Sequence, residues 1–453
     1  MTDDSRKLLI GRSKMDGLVS MAMMRWRTQV RHFHSVSGVS VPLVGTNMVA
    51  SPLLYLQSGG PTAVLNASAF GVIETARRLG RPLLAARNGL AGLLDGRLVD
   101  TARVSKDDIA LLPTMPGGSF GVSRHMIPAY YEAPQEWLAV RDVLERHNIH
   151  HLLLNGGNGS MGCAARLAEF EQHTGYPLSV IGIPKTIDND LLGTDFSPGF
   201  PSAAKFLATS MREVVLDMNS MEQQRVFIME TMGRHTGWLA AATTAAARPP
   251  GDAPLLILLP EVPFDPAVFL SLLDQGLQRH GHCAIAVSEG LKGSDGLPVA
   301  ESRHDVVYGH EQLGGAGAWL ANLVRLQCGI TAHVAQVDCL QRAARHLASN
   351  VDLHMAYEVG CTAVEWALNG MHGVMTGIVR RLSATRTWEV VPIALAEVGD
   401  LERKLPLEYI DVANLGVTPA FLDYLRPLLA GEVPVPYGSD GLPDYHPIAW
   451  PDV

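Results

Sequence analysis

The sequence predicts an α/β protein whose sheets are mainly parallel, and three observations carry that expectation. From Leu53 onward, short apolar runs of strand composition alternate with stretches of helical spacing. The junction after a run repeatedly holds small residues, as in Ser58-Gly59-Gly60-Pro61-Thr62 and Asn155-Gly156-Gly157-Asn158-Gly159-Ser160. The third observation is the stretch 178–190, where a β-branched run stops at Pro184 and Lys185, Thr186, Ile187, Asp188 and Asp190 follow at once. Ligands of open α/β sheets bind beyond the carboxyl ends of the strands, where this cluster falls. Two acids two residues apart can divide a base role and a metal role. An Asx-rich turn beside a solvated lysine is the plainer reading of the same residues.

Taken in order, 53–56 is a strand, 57–62 a turn, and 63–79 a helix ended by Gly80. Backbone N–H groups of such a glycine turn can approach a phosphate at the helix N-terminus. The chain has no G-K-[ST], so the turn is not a P-loop. A second strand covers 83–86, and the loop 116–124 ends in Arg124, whose fork suits phosphate oxygens. A helix over 137–147, a strand over 150–154, the glycine loop 155–160 and a helix over 161–172 make the next unit. Gly156, Gly157 and Gly159 leave little bulk there, exposing backbone donors to a polyphosphate.

Pro201 opens a helix to about 218. The strand 226–229 runs into Met232-Gly233-Arg234-His235, again a glycine and an arginine near a helix start, with a helix over 239–247. The strand 283–287 ends in Ser288-Glu289-Gly290, an acid placed to accept hydroxyls. Further strands are expected at 255–259, 333–337, 373–379 and 387–391, and helices at 269–279, 319–327 and 355–368. The tail 396–453 turns proline-rich from Pro427 and is expected to wrap the surface. Residues 1–47 are basic and methionine-rich with weak periodicity; a leader, a disordered arm or translated sequence upstream of a start at Met48 fit them, and the last is preferred.

The 453 residues carry a formal net charge of -9, against a general nucleic-acid binder. The five cysteines (Cys163, Cys283, Cys328, Cys339, Cys361) form no C-x-x-C pair, which suits a reducing cytoplasm. No apolar run approaches the roughly 20 residues that cross a bilayer.

Seven segments together resemble the phosphofructokinase family: SGGPTAVLN (58–66), GGSFGVSR (117–124), GGNGS (156–160), PKTIDND (184–190), METMGRHTGW (229–238), SEG (288–290) and LQR (340–342). The resemblance implies two Rossmann-like three-layer domains with a cleft between them. It implies a donor domain at 48–199 plus about 342–395, a sugar-phosphate domain at 200–341, and Mg²⁺-dependent phosphorylation of fructose 6-phosphate at C1. It makes Asp188 the general base, with Lys185 and Arg234 at the transferred group. Thr186, Ile187, Arg225, Met232, Gly233, Glu289, Cys339 and Arg342 join them around the sugar phosphate. Gly60, Arg124, Gly157, Asn158, Gly159 and Ser160 fall on the donor side, and Asn158 and Asp190 at the metal. Family members are dimers or tetramers, so a cytoplasmic homo-oligomer is implied.

Four positions depart from the common pattern. Asn158 replaces an aspartate that helps hold Mg²⁺ in many members, leaving an uncharged carbonyl oxygen. Gly159 stands where many pyrophosphate users carry an aspartate that repels ATP, and nothing there clashes with a third phosphate. Lys185 is typical of pyrophosphate users. Cys339 and His333 occupy positions that usually bind the 6-phosphate. Most of the chain, including SGGPTAV (58–64), PKTIDND (184–190) and the tail segments KLPLEYID (404–411) and FLDYLRPL (421–428), resembles the pyrophosphate-type branch. On Gly159, ATP is nevertheless the expected donor and pyrophosphate the alternative. A lipid or NAD kinase shares only the GGNGS loop. A non-catalytic sugar-phosphate-binding paralogue is the remaining rival, set against the intact Asp188, Arg234 and Glu289.

Overall fold

The computed structural model describes residues 51–247, 255–300, 303–307, 310–312, 314–381 and 387–453. The expectation for 1–47 lies outside them. In chain order the strands are β1 (Leu53–Gln57), β2 (Leu83–Ala86), β3 (Leu98–Asp100), β4 (His151–Gly156) and β5 (Ser179–Pro184). Then come β6 (Arg225–Thr231), β7 (Leu255–Leu258), β8 (His282–Ser288), β9 (Arg303–Val307) and β10 (His310–Gln312). Next are β11 (Ala332–Gln336), β12 (Val374–Arg380) and β13 (Trp388–Ala394), and a two-residue antiparallel pair, β14 (Ile410–Asp411) and β15 (Gly416–Val417), follows.

One sheet has seven strands in the order β13-β12-β5-β4-β1-β2-β3, and a second has four in the order β11-β6-β8-β7. The second is parallel throughout. In the first, only the edge pairs β2–β3 and β12–β13 are antiparallel. Parallel strands are covered on both faces and so read as continuous apolar runs. Leu53, Leu54, Tyr55 and Leu56 of β1 are all fully buried. The strands β9 and β10 form a separate antiparallel hairpin.

Two helices, Leu65–Arg78 and Asn350–Leu368, cross closely over the first sheet. Glycines make the approach possible. A Cβ at Gly71 would lie 2.3 Å from the Tyr357 carbonyl oxygen, and one at Gly360 2.3 Å from that of Ser68. The helix Phe200–Asn219 begins where Asp352 offers its carboxylate to free N–H groups: Gly199 donates to Oδ1 at 2.9 Å and Ser202 to Oδ2 at 3.0 Å.

Three local expectations differ from the structure. The helix expected over 161–172 is split into Asn158–Ala168 and Phe170–Thr174, so Asn158, Gly159 and Ser160 form its first turn. The run expected as a helix over 239–247 is helical only over Trp238–Ala242 and tightens into a 3-10 turn at Thr243–Ala246. The tail is not confined to the surface. Phe421, Leu425 and Leu428 are fully buried, and the Trp450 ring lies 4.2 Å from that of Phe120. Among the described residues no helix is long and apolar enough to cross a membrane.

Candidate active site

The carboxyl ends of β1, β4 and β5 face those of β6, β8 and β11. The Cβ that Gly60 lacks would meet Arg342 Nη1 at 2.9 Å, and the Thr236 hydroxyl donates to the Asp188 carbonyl at 3.3 Å. Residues more than a hundred positions apart therefore share one cleft.

On the β1–β4–β5 side the glycine loops are knitted together. Ser58 N–H donates to the Asn155 carbonyl at 2.8 Å, Gly59 N–H to that of Ser123 at 2.9 Å, and the Ser160 hydroxyl to Ser58 Oγ at 2.9 Å. The helix Asn158–Ala168 starts without a side-chain cap, leaving N–H donors available. The helix Leu65–Arg78 also lacks one, but its Leu65 and Ala67 N–H groups donate to the Thr62 and Val64 carbonyls, at 3.4 and 2.9 Å. Arg124 is exposed at the rim.

Lys185 is only 3% exposed, and its Nζ donates to the Gly60 carbonyl at 2.6 Å. Burial pulls its pKa down to about 8, opposed by Asp188. Thr186 N–H is fixed by the Pro198 carbonyl at 3.1 Å, Thr186 Oγ1 accepts from Asp188 N–H at 3.1 Å, and Ile187 packs into the core beneath them. Burial pushes Asp188 up to about 7, with Asp190 and Glu289 adding to the rise and Lys185 opposing it. Asp190 is raised for the same first reason, burial. Between the two acids Asn189 adopts a left-handed backbone, φ 56°.

On the β6–β8 side, Gly233 N–H faces Glu289 Oε1 at 3.4 Å, and Met232 N–H donates to Gln341 Oε1 at 3.3 Å. Gly233 has φ 136°, and a Cβ there would sit 2.4 Å from the Thr236 carbonyl oxygen. Burial raises Glu289 to about 7, while the Gly233 N–H and then Arg234 oppose the rise. Cys339 is exposed and accepts from Arg342 Nη2 at 3.2 Å.

Arg225 stands apart. It begins β6, six residues and ~20 Å along the strand from Thr231. There it bonds His333 Nε2 through Nη1 at 3.2 Å. Within one chain, neither residue is gathered with the rest of the substrate set.

The Oδ1 atoms of Asn158 and Asp190 are both buried and without a hydrogen-bond partner. Two orphaned oxygens are hard donors of the kind that could hold a divalent cation such as Mg²⁺. Among the described residues no three His, Cys, Asp or Glu side chains group into a metal cluster.

One segment carries site contacts that the sequence did not assign to it, although its end from Lys404 belongs to the KLPLEYID resemblance. Residues 400–405 run across the cleft: Leu401 O accepts from Asn158 Nδ2 at 2.5 Å, Glu402 pairs with His235 at 2.7 Å, and Lys404 Nζ donates to the His235 carbonyl at 2.8 Å. Leu405 N–H and Gly237 N–H both donate to Glu261, at 3.0 and 2.9 Å. Glu402-Arg403-Lys404 reads in isolation as a solvated charge run.

Comparison with known proteins places this arrangement. The profile of the family described as Phosphofructokinase matches residues 53–367. Over 404 residues the chain is 44% identical to the pyrophosphate–fructose 6-phosphate 1-phosphotransferase of Methylococcus capsulatus, covering 88% of this chain and 96% of that one. It is likewise 44% identical over 401 residues to the protein of the same name from Xanthomonas campestris, covering 88% and 96%. The crystal structure of the pyrophosphate-dependent phosphofructokinase from Nitrosospira multiformis superposes with a TM-score of 0.81 at 38% identity, covering 89% of this chain and 98% of that one. Fold and kinship define an α/β phosphotransferase. The chain belongs to the phosphofructokinase family.

Proposed function

We propose that the chain transfers a phosphoryl group from pyrophosphate to the C1 hydroxyl of fructose 6-phosphate, reversibly. The observation that carries this reading is the buried Lys185 ammonium, held at the Gly60 carbonyl beside Asp188. A donor without a nucleoside offers only its phosphates to hold. A desolvated cation and the uncapped start of the helix Asn158–Ala168 are what such a donor can use. The names of the relatives at 44% identity agree.

This revises the ATP preference read from Gly159. A Cβ at that position would meet only Met126 Cε, at 3.9 Å. Open space fails to exclude a longer donor, but it supplies no contact that would bind one. That space remains the single observation favouring ATP, which stands as the second reading.

In the proposed reaction Asp188 takes the proton from the C1 hydroxyl as its oxygen bonds the terminal phosphorus. The bridging P–O bond breaks, and inorganic phosphate leaves. Lys185 and Arg234 offset charge on the transferring group, Glu289 receives sugar hydroxyls, and the 58–60 and 157–160 turns hold the donor. Mg²⁺, held by Asn158 and Asp190, would neutralise phosphate oxygens. Arg225 and His333 cannot reach their own cleft. We infer that they serve the cleft of a second copy in a cytoplasmic homodimer or homotetramer.

Initial rates with fructose 6-phosphate and Mg²⁺, run in parallel with pyrophosphate and with ATP, test the donor. Turnover with pyrophosphate alone supports the proposal. Turnover with ATP alone restores Gly159 as the deciding residue.

A further inference from the structure

Asn189 lies between the two acids assigned to base and metal, so its backbone angles set the directions in which both carboxylates leave the chain. Its φ of 56° lies where side-chain-bearing residues are seldom found, and such a conformation persists only when its surroundings fix it. Arg403 supplies much of that fixing. Its Nε and Nη2 both donate to the Asn189 carbonyl, at 3.2 and 2.9 Å. Nη1 donates to the carbonyls of Thr194 at 2.6 Å and Asp195 at 2.9 Å. Its backbone N–H donates to the Asp190 carbonyl at 2.7 Å. The guanidinium carbon lies 4.5 Å from the centre of the Trp238 ring, whose Nε1 donates to the Arg403 carbonyl at 3.3 Å. Trp238 opens the helix that follows the Gly233-Arg234 turn. One side chain thus grips the loop of the acids and rests on the helix beyond the sugar-side loop.

We propose that Arg403 is a positioning residue for phosphoryl transfer: it fixes the Asn189 turn that aims Asp188 and Asp190, and it registers that turn against the Gly233-Arg234 loop. The inference rests on the reading of Asp188 as base. The Arg403 side chain contacts main-chain carbonyls, the Trp238 face and the Tyr424 hydroxyl, which also bonds Asn189 and Asp195. All of these hold the loop, so its contribution falls on the geometry of the reacting groups and not on binding contacts. A shift of about 1 Å in such groups costs on the order of 10²-fold in rate. Lysine keeps the charge but cannot fork to three carbonyls at once.

The test measures kcat and KM for the full chain carrying Arg403→Lys and Arg403→Ala, with pyrophosphate as donor, beside Asp188→Asn. The expected result is a kcat loss of about 10- to 100-fold in Arg403→Lys, and a larger one in Arg403→Ala, with both KM values within about twofold of wild type. Guanidinium ion added to Arg403→Ala should restore part of kcat, and ammonium should not. Unchanged kcat in both variants overturns the proposal. So does a loss confined to KM, or a kcat loss that guanidinium leaves untouched. Should Arg403→Ala fail to fold, guanidinium is added to the milder Arg403→Lys and the same outcomes decide. If Asp188→Asn retains wild-type turnover, the base assignment fails whatever Arg403 does.

Discussion

A carboxylate that must take a proton from a hydroxyl near neutral pH works best when its own proton affinity lies close to neutrality. Burial and the neighbouring acids move Asp188 to about 7, and burial moves Lys185 down to about 8. In the proposed roles the base must be ionised and the ammonium protonated, so kcat/KM should rise through pH about 7 and fall above about 8. Bound phosphate favours the charged lysine, so the alkaline limb of kcat should lie higher than that of kcat/KM; profiles of both parameters check this. Asp188→Asn should cost about 10²- to 10⁴-fold in kcat. The same change should raise the melting temperature at about pH 8. A carboxyl whose folded pKa lies above its unfolded value gives stability that is present when protonated and lost as pH rises through about 7. An amide has no charge to bury, so the gain should vanish at acid pH. Thermal scans at two pH values decide it.

At the scale of elements, the turns after β1 and β4 were legible because glycine runs between a strand and a helix leave a local signature. The acids after β5 were legible for a related reason: Pro184 stops the strand and the polar residues follow without a gap. What stayed hidden was set by distant partners. The helix after Gly157 begins three residues earlier than expected, and Gly156 shows why the turn is so tight. A Cβ there would sit 2.2 Å from Ser160 Oγ and 2.3 Å from Ser160 Cβ. Gly156→Ala should therefore push apart the first helical turn and raise the donor KM, by about 5- to 150-fold if the overpacking costs roughly 1–3 kcal/mol. Gly159→Ala, beside open space, should leave the kinetics with pyrophosphate within about twofold. The contacts of the 400–405 strap left no local trace, since the carbonyls that Arg403 holds lie more than two hundred residues earlier.

For the molecule as a whole, the tail 450–453 braces the segment 87–120. Trp450 covers Phe120 and donates from Nε1 to the Ser119 carbonyl at 3.0 Å, while Asp452 pairs with Arg87 at 2.7 Å. Val453 N–H donates to the Leu98 carbonyl at 3.1 Å, beside β3. Trp450→Ala should cost about 3–5 kcal/mol of stability and loosen the loop that carries Arg124, raising the donor KM; denaturant titration and donor kinetics report the two effects separately. The proline-rich tail gave no sequence sign of this role, because its packing residues are spaced without helical or strand period. Finally, Arg225 sits at the far end of its strand from the cleft that its own chain builds. If the sugar phosphate needs that guanidinium, occupancy of the site becomes a matter of enzyme concentration. Specific activity would then fall on dilution, and sugar affinities measured with trace enzyme would understate those at cellular abundance.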